Sequence, residues 1–365
     1  MPRRDLFSVF LIFGLLLAGC SKHHGGVRSD AEDPLHSGRH NGPQLKLLLE
    51  LDYLPDSVIA LFEKESGIHV QKEIAPFDVG ILGSVLTAPG QYDLVIFDDW
   101  VIGSLIREKM LSPLHLGEIP NLKNIAPEFL NQPFDPGNRY SVPYLAGILG
   151  IVVNTDLVKS EIRDFPDVFR PEFDQKCCMV DAPDTLGRIA RRASGNLSEG
   201  ALTEEELETI RPLMTQWLSR VRLLHSDNFV PLFQNGKVAM GILWSGQAAE
   251  LLNENHKFRW VAPSSPTRFF IDSFVIPKHA EHQAEAEAFI NFTLRPEIGK
   301  MIAQAQPYLS PNAASRALIS EKDRSNPASY PDLGKIQRMV DPADDGTEQL
   351  MVDRWIQEIQ HKDPP

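Results

Sequence analysis

The sequence predicts an α/β protein of two interleaved lobes, each a mainly parallel sheet flanked by helices. Three observations carry this. Short apolar runs alternate with helix-period patterns across short connections, the pattern of sheets covered by helices. Two apolar stretches read as crossings between lobes: 140–151, which holds Pro143, Gly147 and Gly150, and 268–275, which resumes after a Pro-rich gap. The chain beyond residue 43 is long enough for two domains with cores of their own. Two crossings mean that the chain enters lobe one, fills lobe two and returns. Lobe one is expected at 44–146 plus 272–312, and lobe two at 147–271 plus 313–365.

In chain order, 45–51 reads as a buried strand. Residues 55–66 read as a helix, with Val58, Ile59, Leu61 and Phe62 on one face and Gly67 as its C-terminal stop. A strand at 92–97 precedes a helix at 100–109, and 148–154 is a continuous apolar strand. Thr203-Glu-Glu-Glu206 is a capping-box start for a helix running to about 223. Strands follow at 238–244 and 269–276, then amphipathic helices at 284–294 and 297–304. Ligands of such sheets bind at the carboxyl ends of strands, here in a cleft between the lobes.

The N-terminal stretch has another logic. Arg3 and Arg4 precede an apolar run over 6–18, interrupted by Ser8 and Gly14. The run is too short to span a bilayer and has the build of a signal-peptide core. It ends in Leu17-Ala18-Gly19-Cys20, which looks like a bacterial lipobox. The expectation is a signal peptide over 1–19 and a lipidated Cys20; the alternative is an ordinary signal peptide with a chance cysteine. Residues 20–43 lack apolar periodicity and read as a flexible tether. Its His23, His24, His36 and His40 have no spacing that fixes a metal geometry. The expected location is periplasmic or cell-surface, on a lipid anchor in a bacterial membrane.

A formal net charge of −13 argues against nucleic acid and anionic membrane surfaces as partners, and favours cationic ligands by steering. Enzyme signatures are missing: there is no G-x-S-x-G, S-x-x-K, H-E-x-x-H or P-loop pattern. No catalytic residue, metal site or cofactor is therefore expected. His279 and His282 read as surface histidines rather than a metal pair. Cys177 and Cys178 read as part of a buried apolar strand, with a strained vicinal disulfide as the alternative.

Several fragments carry a family likeness. They are Phe62-Glu-Lys-Glu-Ser-Gly-Ile-His-Val70, Tyr92-Asp-Leu-Val95, Asn131-Gln-Pro-Phe-Asp-Pro136, Tyr140-Ser-Val-Pro-Tyr144, Ser226-Asp-Asn228, Met240-Gly-Ile-Leu-Trp-Ser-Gly246, Phe270-Ile-Asp-Ser273, Ala288-Phe-Ile-Asn-Phe292 and Ser310-Pro-Asn312. In this order the set resembles the spermidine/putrescine-binding proteins of polyamine ABC importers. The resemblance implies the two-lobed periplasmic-binding-protein fold. It also implies a monomeric receptor that binds a polyamine-like amine and docks on ABC permease subunits. By the same resemblance the ligand-binding residues are Tyr53, Trp100, Trp244, Phe270 in place of a tryptophan, Asp272 and Tyr308. The chain departs from the family pattern at Glu50, Leu51 and Asp98, and at Ala182 and Thr185, where a carboxylate pair is expected and Asp181 and Asp184 stand one position away. Glu50 and Asp98 are read either as acids added to the site or as solvated loop acids.

The chemistry suits such a set. A primary ammonium is strongly hydrated and needs a carboxylate to leave water. Its methylene chain needs flat apolar walls, and aromatic faces add cation–π attraction of about 0.5–2 kcal/mol each. Competing readings keep the fold but make it a sensor for a membrane signalling protein, or a receptor for another solute such as a metal or an anion. A hydrolytic lipoprotein is the enzyme alternative.

Overall fold

The computed structural model describes residues 42–75, 77–180, 182–224, 229–339, 351–352 and 354–356. Cys20 with its tether, Asp181 and the fragment 226–228 lie outside them. The elements run β1 (Gln44–Leu49), α1 (Asp56–Ser66), β2 (His69–Ile74), α2 (Phe77–Thr87), β3 (Leu94–Phe97), α3 (Asp99–Arg107) and β4 (Ser141–Asn154). After these come β5 (Cys177–Met179), α4 (Pro183–Ala193), α5 (Glu204–Arg220), β6 (Val221–Leu224), α6 (Phe229–Gln234), β7 (Met240–Trp244), α7 (Ser245–Glu254) and β8 (Phe258–Val261). The chain closes with β9 (Phe269–Val275), α8 (Gln283–Thr293), α9 (Pro296–Ala305), α10 (Ala313–Arg316) and α11 (Glu321–Arg324).

The strands form one curled sheet in the order β2-β1-β3-β9-β4-β7-β5-β6, with β8 also paired to β4. The outer strands are parallel: β1 pairs with β2 and β3, and β5 pairs with β6 and β7. The middle is antiparallel, because β4 carries the chain out of the first half and β9 brings it back. Over Ser141–Ile148, β4 pairs with β9; from Leu149 to Val153 it pairs with β7, and over its last four residues also with β8. The two crossings read from the sequence are therefore one pair of neighbouring strands. All 14 residues of β4 are buried, so this strand runs about 45 Å through the core at roughly 3.3 Å per residue.

Its unusual residues have local reasons. The β4–β9 register shifts between Pro143 and Leu145, an irregularity that accommodates a residue unable to donate to the ladder. Gly147 and Gly150 make room for rings. A Cβ at Gly147 would lie 2.6 Å from the Phe270 ring, and one at Gly150 would lie 2.3 Å from the Trp260 ring. Both distances are far inside van der Waals contact.

Local signals fix several ends. Gly67 closes α1 at φ 72, the left-handed stop that favours glycine. Thr203 and Glu206 form the expected capping box on α5. That helix ends at Arg220, short of the expected 223, because 221–224 leaves to pair with β5 as β6. Cys177 and Cys178 are two free, buried thiols in β5, and burial pushes the Cys177 thiol up to about 12.

Two aspartates of the recognised fragments turn out to be scaffold. Asp93, fully buried, accepts from the backbone N–H of Lys46, Glu281 and His282 and meets Nδ1 of His282 at 3.0 Å. It ties β1 to the approach of α8. No group of three potential ligands is present among the described residues. Asp135 accepts from the N–H groups of Arg139, Tyr140 and Ser141 and from the Ser141 hydroxyl at 2.7–3.1 Å. It thereby sets the loop that feeds β4. Asp135→Asn puts an NH2 against some of these donors and is expected to cost about 1–3 kcal/mol. Urea unfolding measures this, and an unchanged midpoint would remove the loop from the folded core.

Among the described residues no helix is long and apolar enough to cross a membrane.

Candidate functional site

Strand β9 supplies the centre. Successive side chains of a strand alternate faces, so residues 268, 270 and 272 project to the same side. On that side stand Arg268, Phe270 and Asp272, all at least nine-tenths buried. Each meets a different neighbour.

At one end Asp272 accepts a hydrogen bond from the Tyr53 hydroxyl. Tyr53 lies in the turn after β1, and its carbonyl accepts from the Tyr144 hydroxyl at 2.7 Å. Tyr144 occupies the irregular point of β4, so the register shift and the placing of Tyr53 are one device. The Tyr53 and Tyr144 rings lie 6.0 Å apart. Glu50, half-buried at the end of β1, is close enough for its charge to act on both Tyr53 and Tyr308. Burial and then the Asp272 carboxylate push the Tyr53 phenol well up. Tyr308 is raised by burial, Asp272 and Glu50. Both phenols therefore stay protonated and remain donors at every physiological pH.

In the middle the rings gather. Trp244 ends β7, and its ring stands edge-on to Phe270 with centroids 5.3 Å apart; Phe270 meets Tyr308 likewise at 5.8 Å. Edge-to-face contact is the favoured geometry of aromatic pairs. Tyr308 reaches its place because Leu309 bridges Ala146 of β4 and because Gly246 opens α7. A Cβ at Gly246 would lie 2.3 Å from the Tyr308 ring. Next to it, Ser245 accepts from the Ile148 N–H at 3.3 Å, fixing α7 on the crossing strand.

The other end removes one of the two readings of Asp98. Asp98 is not a solvated loop acid. It caps α3, accepting from the Trp100 N–H at 3.4 Å, and its Oδ1 lies 2.6 Å from Nη2 of Arg268. Asp99 also accepts from Arg268, and takes the Ile271 N–H at 3.2 Å. Asp99 thus continues the β3–β9 ladder with a side chain. Burial raises the Asp98 carboxyl well above its usual range, against the pull of Arg268 and with the push of Asp99 and Asp272. Asp99 is held low: burial opposes this, but Arg268 and hydrogen bonds from Asp98 and Ile271 prevail.

Six of the eight residues read from the sequence thus fall into one contiguous group: Glu50, Tyr53, Trp244, Phe270, Asp272 and Tyr308. Asp98 is bonded to Arg268 beside it and feels the charge of Asp272. Trp100, half-buried in the first turn of α3, packs against the core of Leu48, Phe97 and Val101. Asp184, one of the displaced carboxylates, stands 3.6 Å from Arg188 on α4. Sequence reasoning did not single out Tyr144, Asp99 or Arg268 as site residues. Arg268 had a usable signal, because it shares the alternation of Phe270 and Asp272.

The group can bury an organic cation: hydroxyl and carboxylate acceptors at one end, rings beside them, and no nucleophile–base pair. Residues 57–331 match the family model of the bacterial extracellular solute-binding protein. The spermidine/putrescine-binding periplasmic protein of Salmonella typhimurium is 29% identical over 84% of this chain and 89% of its own length. The putrescine/agmatine-binding protein of Pseudomonas aeruginosa is 26% identical over 76% of this chain and 81% of its own. Among solved structures, the spermidine/putrescine transporter substrate-binding protein of Streptococcus pneumoniae superposes with a TM-score of 0.75 at 27% identity, covering 88% of this chain and 99% of that one. A putative spermidine/putrescine transporter protein from Listeria monocytogenes gives 0.80 at 25%, covering 88% and 100%. With the two crossing strands, the curled sheet and the aromatic–carboxylate group on β9, these matches make the chain a member of the bacterial extracellular solute-binding protein family, with the two-lobed periplasmic-binding-protein fold.

Proposed function

We propose that this protein is the extracytoplasmic receptor of an ABC importer, that it binds a polyamine or related cationic amine between its lobes, and that it catalyses nothing. The observation that carries the reading is the Tyr53–Asp272 contact beside the Phe270, Trp244 and Tyr308 rings. It joins the two things an alkylammonium requires: a buried carboxylate with protonated phenols, and apolar walls for the chain. The names of the relatives point the same way.

In this reading Asp272 and Glu50 receive ammonium groups, and Tyr53, Trp100, Trp244, Phe270 and Tyr308 wall the chain. The lobes are 44–146 plus 272–312 and 147–271 plus 313–365. The hinge lies where β4 and β9 change partners. Closure on ligand is a population shift about that pair of strands, and small-angle scattering should show a smaller radius of gyration with ligand. The receptor works as a monomer that docks on permease subunits, held to the membrane through Cys20.

The direct test is a thermal-shift panel of polyamines, basic amino acids, metals and anions. A ligand at 100 times its Kd stabilises by about 2.7 kcal/mol. Stabilisation by metals or anions alone would end the amine reading. Gly246→Ala tests the aromatic wall. A methyl group there drives the Tyr308 ring out of place, and the amine Kd should rise about tenfold, or 1.4 kcal/mol. Calorimetric titration reads this, and unchanged affinity in a folded variant would take Tyr308 out of the site. Cys20→Ser should move the protein from the membrane fraction to the soluble one with its thermal unfolding unchanged; retention in the membrane would refute the anchor.

A further inference from the structure

A site built for long polycations would be expected to leave its carboxylates to the ligand. Here two of them hold a cation of the protein's own. The Arg268 guanidinium is buried, with 6% of its side chain exposed, and its partners Asp98 and Asp99 are largely buried too. Nη2 donates to Asp98 at 2.6 Å and also to Asp99, while Nη1 donates to the Phe269 carbonyl at 2.6 Å and reaches Asp99 at 3.5 Å. This is a fixed, multiply bonded cation rather than a surface arginine that swings aside. It lies immediately before β9, two alternations from Asp272, with Phe270 between them. At roughly 3.4 Å per residue, the Cα atoms of 268 and 272 are about 14 Å apart. The side of the site beyond Phe270 therefore carries a carboxylate pair whose cation is already in place.

We propose that Arg268 determines ligand length: by occupying Asp98 and Asp99 as a built-in cation, it limits this receptor to amines whose charged groups are satisfied at the Asp272 and Glu50 end, a short mono- or diamine in preference to a triamine. The inference rests on the amine reading of the cleft. Charge bookkeeping supports it. Two aspartates and one arginine carry at most one net negative charge, and the upward push on Asp98 reduces even that. A further ammonium arriving there would meet a guanidinium and carboxyl groups already bonded to it, and would lose its hydration without an equivalent partner. The seating of Asp98 and Asp99 also makes recognition of a ligand carboxylate by Arg268 unfavourable, since the guanidinium would have to give up its bonds to both side chains for one.

The test is calorimetric titration with putrescine, a diamine, and spermidine, a triamine, on three proteins: wild type, Arg268→Met, and Arg268→Met combined with Asp99→Asn. The double variant keeps the formal charge of the cluster, since it removes one cation and one anion together. It therefore provides a folded test should Arg268→Met alone, with two adjacent buried acids, fail to fold. Wild type should bind putrescine at least as tightly as spermidine. In the variants the spermidine-to-putrescine affinity ratio should rise about tenfold or more, because a carboxylate is released to the third ammonium. A wild-type preference for spermidine of tenfold or more overturns the assignment whatever the variants do. So does an unchanged ratio in the folded double variant. If neither amine binds wild type, the amine reading itself falls and takes this assignment with it, whereas amine binding with an unmoved ratio defeats the assignment alone.

Discussion

Asp272→Asn should abolish most amine binding while leaving the empty protein folded. The substitution keeps the shape of the side chain and an oxygen to accept the Tyr53 hydroxyl, so the bond from Tyr53 survives. What goes is the charge. A buried ammonium seated there would lose its counter-ion, at a cost of roughly 2–5 kcal/mol, which is about thirty-fold or more in Kd at 1.4 kcal/mol per tenfold. Apo stability should change little. Removing an anion that stands beside Glu50 and Asp98 relieves like-charge repulsion, and this offsets any weakening of the bond from Tyr53. Titration of both proteins with the best amine of the panel, alongside thermal unfolding without ligand, separates the two possible roles. Equal affinities would make Asp272 part of the scaffold. A large loss of apo stability with binding intact would do the same.

Period-2 alternation puts Phe270 and Asp272 on one face of β9. Phe270, Asp272 and Trp244 were legible as site residues only through the family resemblance, which alternation alone does not supply. Arg268 obeyed the same rule and was passed over, since its meaning depends on Asp98 and Asp99, 170 and 169 residues away in sequence. Local pattern has no access to such pairing. The crossings were legible from Pro143, Gly147 and Gly150, but the physical content of those residues was not. They accommodate a register shift and two rings, features set by the partner strand and by Phe270 and Trp260. The end of α5 shows the same limit from the other side. Its start was fixed by its own capping box, whereas its stop was decided by the ladder to β5, and tertiary pairing overrides helix propensity there. Asp93 and Asp135 illustrate a further point. Both lie in the fragments that carry the family likeness, and both are spent on backbone donors rather than on ligand.

The adjacent aspartates should respond to neutralisation in opposite ways. Asp99 is held low by Arg268 and by its hydrogen bonds. A carboxyl depressed in the folded state contributes stability that is present above its unfolded value of about 3.9 and is lost as pH falls through the folded one. Asp99→Asn breaks the buried pair and leaves Arg268 with the less available partner, so it should cost about 3–5 kcal/mol at neutral pH. The deficit against wild type should narrow in acid, where wild-type Asp99 itself takes up a proton. Asp98 is raised, chiefly by burial, with the push of Asp99 and Asp272 added. The native state then binds the proton more tightly than the unfolded chain does. Between the unfolded and the folded pKa, stability falls as pH rises. Asp98→Asn removes that decline and still caps α3, since asparagine is as good an N-cap as aspartate. It should be close to neutral in acid and become comparatively more stabilising as pH rises above about 4. Urea unfolding of the three proteins across acid and neutral pH gives both curves. Equal costs at the two positions, or a penalty for Asp98→Asn that grows with pH, would mean that Arg268 is shared evenly between the two acids.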